Sequence, residues 1–135
     1  MKVILDTNVF VSGIFFAGPP YRVLQAWKQG HIQLVISPTI LAEYREVGLR
    51  LAQDYPQIDI LPFVDLVMVH ADIVQADVLP NPICEDPDDD MFLACALASL
   101  TQIIISGDKH LLKLNGFEGI EILKPKSFLD LYLEP

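Results

Sequence analysis

Residues 2–6 read Lys2-Val3-Ile4-Leu5-Asp6, a short β-branched apolar run closed by an acid. An apolar run of this length suits a strand buried on both faces of a parallel sheet. Asp6 then stands where the strand's C-terminal end opens. Ile32 to Ile36 is a second such run, and Thr101 to Ser106, centred on Ile103-Ile104-Ile105, is a third, broken by Gly107 and followed by Asp108. Helical stretches alternate with them. Pro20 suits the first turn of a helix through Lys28, with Val23, Leu24 and Trp27 at helical spacing and Gly30 beyond its end. Ser37-Pro38 pairs an N-cap with a first-turn proline and opens a helix to about Ala52. Pro56 to His70 reads as a helix starting near Pro62, and Asp72 to Gln75 as a short extended piece. Asp86-Pro87 is another cap-and-proline start, leading into Met91 to Leu100. Asp108 to Leu114 forms a short helix, Ile120 to Leu123 a short strand, and Pro125 opens a last helix through Tyr132. Residues 7–19 read as a Gly- and Pro-containing connection. Strands alternating with helices imply an α/β fold, a mainly parallel sheet covered on both faces.

A chain of 135 residues matches one domain, taken as 1–135. With 52% hydrophobic and 20% charged residues it is not a disordered chain. Its net charge is −9, and no Lys or Arg lies between Arg50 and Lys109, a span that holds eleven acids. That acidic middle weighs against a nucleic-acid partner, because phosphate binding normally shows as a basic face. Asp6 interrupts the N-terminal apolar run too early for a signal peptide, and no stretch reaches the roughly 20 apolar residues of a membrane span. A cytoplasmic protein with no membrane partner is expected. Cys84 and Cys95 lack metal-type spacing and read as buried thiols.

In an open α/β sheet the site lies beyond the C-terminal strand ends. Four acids are placed for that edge: Asp6 ends the first strand, Glu43 lies early in the helix after the second, Asp90 opens the next long helix, and Asp108 follows the Ile-rich strand. Gathered carboxylates repel unless a cation neutralises them, and hard oxygen ligands select Mg²⁺ or Mn²⁺. Such ions activate water and stabilise the charge that develops during attack on a phosphodiester. No histidine is then needed as base; of His31, His70 and His110, only His110 falls near an acid of the set.

Taken together, Leu5-Asp6-Thr7-Asn8-Val9, Ser37-Pro38-Thr39-Ile40-Leu41-Ala42-Glu43-Tyr44, Asp86-Pro87-Asp88-Asp89-Asp90-Met91-Phe92-Leu93-Ala94 and Ile105-Ser106-Gly107-Asp108-Lys109-His110-Leu111-Leu112 resemble the PIN-domain ribonucleases. The likeness is nearest to the VapC-like toxins of toxin–antitoxin systems. Each motif alone is weak; the ordered set is specific. The resemblance implies a three-layer α/β/α sandwich, divalent-metal-dependent cleavage of RNA, a homodimer and an antitoxin partner. Asp6, Glu43, Asp90 and Asp108 match the family's four acids, which would be both catalytic and metal-binding. Asn8, Asp86, Asp88, Asp89 and Ser106 are possible additions, with Asn8 as a hydrogen-bonding support and Asp90 the preferred acid of its run. His110 departs from the acid often found there in this branch.

Plainer readings stand beside these. Asp6 and Asn8 suit a turn, Glu43 a solvated helix face, and Asp86 and Asp108 helix caps. Two other functions compete: a non-catalytic PIN-fold module that binds metal, RNA or a partner, and a haloacid-dehalogenase-type phosphatase. The second lacks its usual acid two residues after the first, where Asn8 stands. Gly13 and Gly18 have P-loop spacing, but Pro19-Pro20 replace the required Lys and Ser/Thr. Arg22, Lys28, Arg45, Arg50, Lys109 and Lys113 are the candidates for phosphate contacts, so RNA binding is expected to be weak and metal-dependent.

Overall fold

In the computed structural model, which describes residues 1–134, Lys2–Leu5 forms β1, Gln33–Ile36 β2, Asp72–Ile73 β3, Ile103–Ile105 β4 and Glu121–Leu123 β5. They make one sheet in the order β3-β2-β1-β4-β5, and every pairing is parallel. Val3, Ile4 and Leu5 are each 0% exposed, and Ile103, Ile104 and Ile105 are buried as well. Because successive strand side chains point to opposite faces, unbroken burial means that both faces of the sheet are covered. The α/β reading with a parallel central sheet is therefore correct.

The helices are α1 Thr7–Phe15, α2 Pro19–Lys28, α3 Pro38–Ala52, α4 Leu61–His70, α5 Asp90–Ser99, α6 Lys109–Leu112 and α7 Pro125–Phe128, which runs on as a π-helical turn over Leu129–Leu133. Among the described residues none is long and apolar enough to cross a membrane. Ser37 caps α3 by accepting the Ile40 amide at 3.3 Å, and Asp86 caps a 3₁₀ turn, Pro87–Asp89, that precedes α5. Both proline-led starts are where the sequence places them. The helix α1 is the element the sequence reading missed. Its Val, Phe and Ile residues are poor helix formers, and Val9, Phe10, Val11 and Phe15 are all buried. Packing on several sides erases the polar face that would have revealed a helix.

Gly13 explains how α1 fits against α2. A Cβ there would lie 2.6 Å from Leu24 Cδ1 and 2.8 Å from the Pro20 carbonyl oxygen. Alanine is the better helix former by about 1 kcal/mol, yet overpacking against backbone costs roughly 1–3 kcal/mol. Gly13→Ala is expected to lower the urea unfolding midpoint with an unchanged slope. A midpoint that stays or rises would show that α1 and α2 separate freely.

The strand order reverses at β1. From it the chain steps outward to β2 and β3, then returns to the other side through β4 and β5. The switch point thus lies between the C-terminal ends of β1 and β4, where open α/β sheets hold their sites.

Candidate active site at the β1–β4 switch point

Asp6 follows β1 directly, and its amide donates to the Ile105 carbonyl at 3.0 Å, tying it to β4. Its Oδ1 accepts the Val9 amide at 2.8 Å, so Asp6 caps α1. Its Oδ2 accepts the Ser106 hydroxyl. Ser106, 0% exposed, also accepts the Asp108 amide at 2.9 Å and so joins the two strand ends. Asp108 in turn caps α6 through the His110 amide at 2.8 Å. Behind Asp6, the fully buried Tyr44 donates its hydroxyl to the Leu5 carbonyl at 2.5 Å and stacks on Phe10 with centroids 4.2 Å apart. Tyr44 belongs to the motif that drew attention to Glu43, but its supporting role depends on a contact across 39 residues, which local sequence does not signal.

The charges at this edge are under strain. Burial pushes the Asp6 carboxyl up to about 6 against the bonds from Ser106 and Val9, and the charge of Asp108 adds to the rise. Asp89 rises to about 7 through burial, the charges of Asp108 and Asp86, and the closeness of the Asp108 side chain, with Asp6 contributing further. Asp89 Oδ2 is buried without a hydrogen-bond partner among the described residues. Two ionised carboxylates offer each other no donor, so only a proton or a cation relieves them.

The acids of the sequence reading are distributed as follows. Asp6 and Asp108 come together at the switch point with Ser106 between them. Glu43 accepts the Thr7 hydroxyl at 2.7 Å, one residue from Asp6. Asp90 is turned elsewhere: its carboxylate accepts the amides of Ile83, at 3.1 and 3.2 Å to its two oxygens, and of Cys84 at 2.7 Å. Although its partial burial acts the other way, these bonds and one from the Cys84 thiol hold Asp90 below the ordinary carboxylate range. It is Asp89, ranked below Asp90 from sequence, that faces Asp108. Asp86 is a cap, Asp88 is exposed, and Asn8 is exposed on α1 while Thr7 makes the bond to Glu43. Thr7 is the polar support that the sequence reading overlooked.

A cavity of about 780 Å³ adjoins these acids, with Glu43, Glu46, Asp77, Asp88 and Asp90 on its wall beside apolar Val47, Leu79 and Met91. Arg50, paired with Glu46, supplies its basic group. Arg22 is paired with Glu134 in a second cavity that also includes Met1, and Lys28 lies 4.8 Å from the Phe63 ring. Lys113 and His110 both pair with Glu85. Both cysteines are free, and burial pushes each thiol up to about 12, which leaves neither as a nucleophile near neutrality.

No three His, Cys, Asp or Glu side chains form a ready-made cage among the described residues. That is compatible with Mg²⁺, which keeps much of its water and uses one or two carboxylates rather than an all-protein shell. The Asp89 oxygen that lacks a partner among the described residues, with Asp108 and Asp6 acting on it, is a donor set that fits a hard cation. Residues 2–110 match the family described as PIN domain. An uncharacterized protein of Methanocaldococcus jannaschii is 28% identical over 145 residues, covering 96% of this chain and 90% of that protein.

Proposed function

This chain belongs to the PIN domain family, whose members are generally nucleases that use divalent metals, and from that premise we propose that it is a metal-dependent ribonuclease. The observation that supports this reading best is the pairing of Asp6 and Asp108 through Ser106 at the switch point, with the charge of Asp89 acting on that edge and its Oδ2 buried without a hydrogen-bond partner among the described residues. One or two carboxylates of this set would hold Mg²⁺ or Mn²⁺, the ion keeping water at its other positions. When bound, such an ion offsets their charge, polarises a phosphodiester and makes water a stronger nucleophile. Ser106 keeps Asp6 and Asp108 in register, and the Tyr44 hydroxyl fixes the backbone that carries Asp6. The shortage of free basic groups nearby leaves phosphate binding to the cation, which inverts the local charge.

The purified full chain is expected to cut single-stranded RNA with Mg²⁺ or Mn²⁺ and to stop when EDTA is added. Mn²⁺ binding without cleavage across varied RNAs would favour the non-catalytic binding module instead. Within this reading the chain acts in the cytoplasm as the toxin of a toxin–antitoxin pair and as a homodimer. An antitoxin bearing Arg or Lys would cover the acidic cavity. Growth arrest on expression, relieved by Asp6→Asn, is the expected sign of a toxin; unaffected growth with active enzyme would remove that role and leave the nuclease.

A further inference from the structure

Most of α1 is buried, and what it leaves at the surface is ordered: Asn8 is exposed, Ser12 and Ile14 are half-buried, and Phe16, the C-cap, is 44% exposed. Asn8, Ser12 and Phe16 follow at intervals of four, so they share one helix face. Phe16 keeps to that face because its amide still donates to the Ser12 carbonyl, at 2.9 Å. The face begins beside the acids, since Asp6 caps α1 through the Val9 amide and Thr7 donates to Glu43. Ten residues later, about 15 Å along the helix, it ends on aromatic rings. Phe16 meets Tyr55 edge to face with centroids 5.4 Å apart, and the buried Phe15 lies 6.5 Å from Phe16 and 5.8 Å from Tyr55. A lone exposed phenylalanine needs no explanation. One braced by other rings, at the end of a polar face leading from the acids, does.

We propose that Phe16, braced by Tyr55, is a stacking platform for one base of single-stranded RNA, which reaches it from the acids along the Asn8 and Ser12 face. The choice of RNA as the occupant rests on the ribonuclease reading of the site with which this face is continuous. It also follows from the charges. Arg22, Arg50 and Lys113 are paired with acids and Lys28 lies over the Phe63 ring, so little of the affinity can come from phosphate contacts. Stacking needs no cation and accepts any base, because every base has a π-face. At about 3.4 Å per stacked nucleotide, 15 Å is roughly four nucleotides, and fewer when the strand is extended. Phe16 therefore grips the substrate away from the reacting bond, where it holds ground state and transition state alike.

Two measurements on the full chain test this. In Mg²⁺-dependent cleavage of a single-stranded decanucleotide, Phe16→Ala is expected to raise KM roughly tenfold with kcat within about twofold, and Phe16→Trp to keep the wild-type KM. Removing single bases stepwise outward from the cut bond should raise the wild-type KM at one position within about four nucleotides, and add nothing there in Phe16→Ala. In EDTA, high concentrations of the same RNA are expected to quench the fluorescence of Phe16→Trp but not that of the wild type, whose single tryptophan, Trp27, is buried. An unchanged KM in Phe16→Ala would overturn the platform; a dimer lost with it would give the face to a second copy, and a lower Tm alone would give it to core packing. Unquenched Phe16→Trp would overturn it as well. If the wild type cuts no RNA, the nuclease reading fails by itself and the quenching still decides the platform.

Discussion

Asp6→Asn is expected to abolish RNA cleavage, by a hundredfold or more, while making the metal-free protein more stable at neutral pH. The two effects have one origin. Asn retains the Oδ1 that accepts the Val9 amide, and Asn is as good an N-cap as Asp, so α1 keeps its start. What is lost is a negative charge on a side chain that is 4% exposed and whose carboxyl is pushed from 3.8 up to about 6. A folded value above the unfolded one means that the folded state binds more protons between those values. Wild-type stability therefore falls as pH rises from about 4 to about 6 and stays low above it. A shift of this size corresponds to on the order of 3 kcal/mol at 1.36 kcal/mol per unit, of which relaxation around Asn would leave about 1–2 kcal/mol. Urea unfolding in EDTA from pH 4 to 8 should show the variant gaining on wild type across that window and holding a constant lead beyond it. Parallel pH profiles for the two proteins would mean that Asp6 is not under charge strain.

The second large effect concerns Asp89. Asp89→Asn is expected to cut cleavage by about a hundredfold and to remove most of the stabilisation that Mn²⁺ confers on the wild type. At a hundred times its dissociation constant a ligand stabilises by about 2.7 kcal/mol, several degrees in Tm for a chain of this size. The pH dependence follows from the carboxyl raised to about 7 by burial and by Asp108. A proton on this pair must leave before a cation can bind, so Mn²⁺ affinity should rise from pH 5 to pH 7 and level off above. Calorimetry in two buffers of different protonation enthalpy would record proton release below pH 7 and little above it. Affinity independent of pH, or full Mn²⁺ stabilisation in Asp89→Asn, would take Asp89 out of the metal site.

Much of this molecule is legible from local sequence because the signals are local. Apolar runs closed by Asp6 and by Ser106-Gly107-Asp108 announce strands and their open ends. Ser37-Pro38 and Asp86-Pro87 announce helix starts, since a cap oxygen and a proline's missing amide act within one turn. The helix α1 escaped because its apolar residues, buried on several sides, leave no helical stripe and have low helix propensity. Thr7 escaped for a different reason: its partner Glu43 is 36 residues away.

The run Asp88-Asp89-Asp90 marks the boundary between the two kinds of information. Three adjacent carboxylates are equivalent in sequence, and each points about a third of a turn from the next, so composition places acids near the site without choosing among them. The choice depends on where a 3₁₀ turn gives way to an α-helix, because the two advance by different angles per residue. Here Asp90 accepts the Ile83 and Cys84 amides, while Asp89, one residue earlier, lies within the charge of Asp108 and Asp6. Chain order and hydrophobic period were enough for the parallel α/β architecture and the edge where its acids collect. Which acid meets which was settled by hydrogen bonds between segments that meet only once the chain is packed.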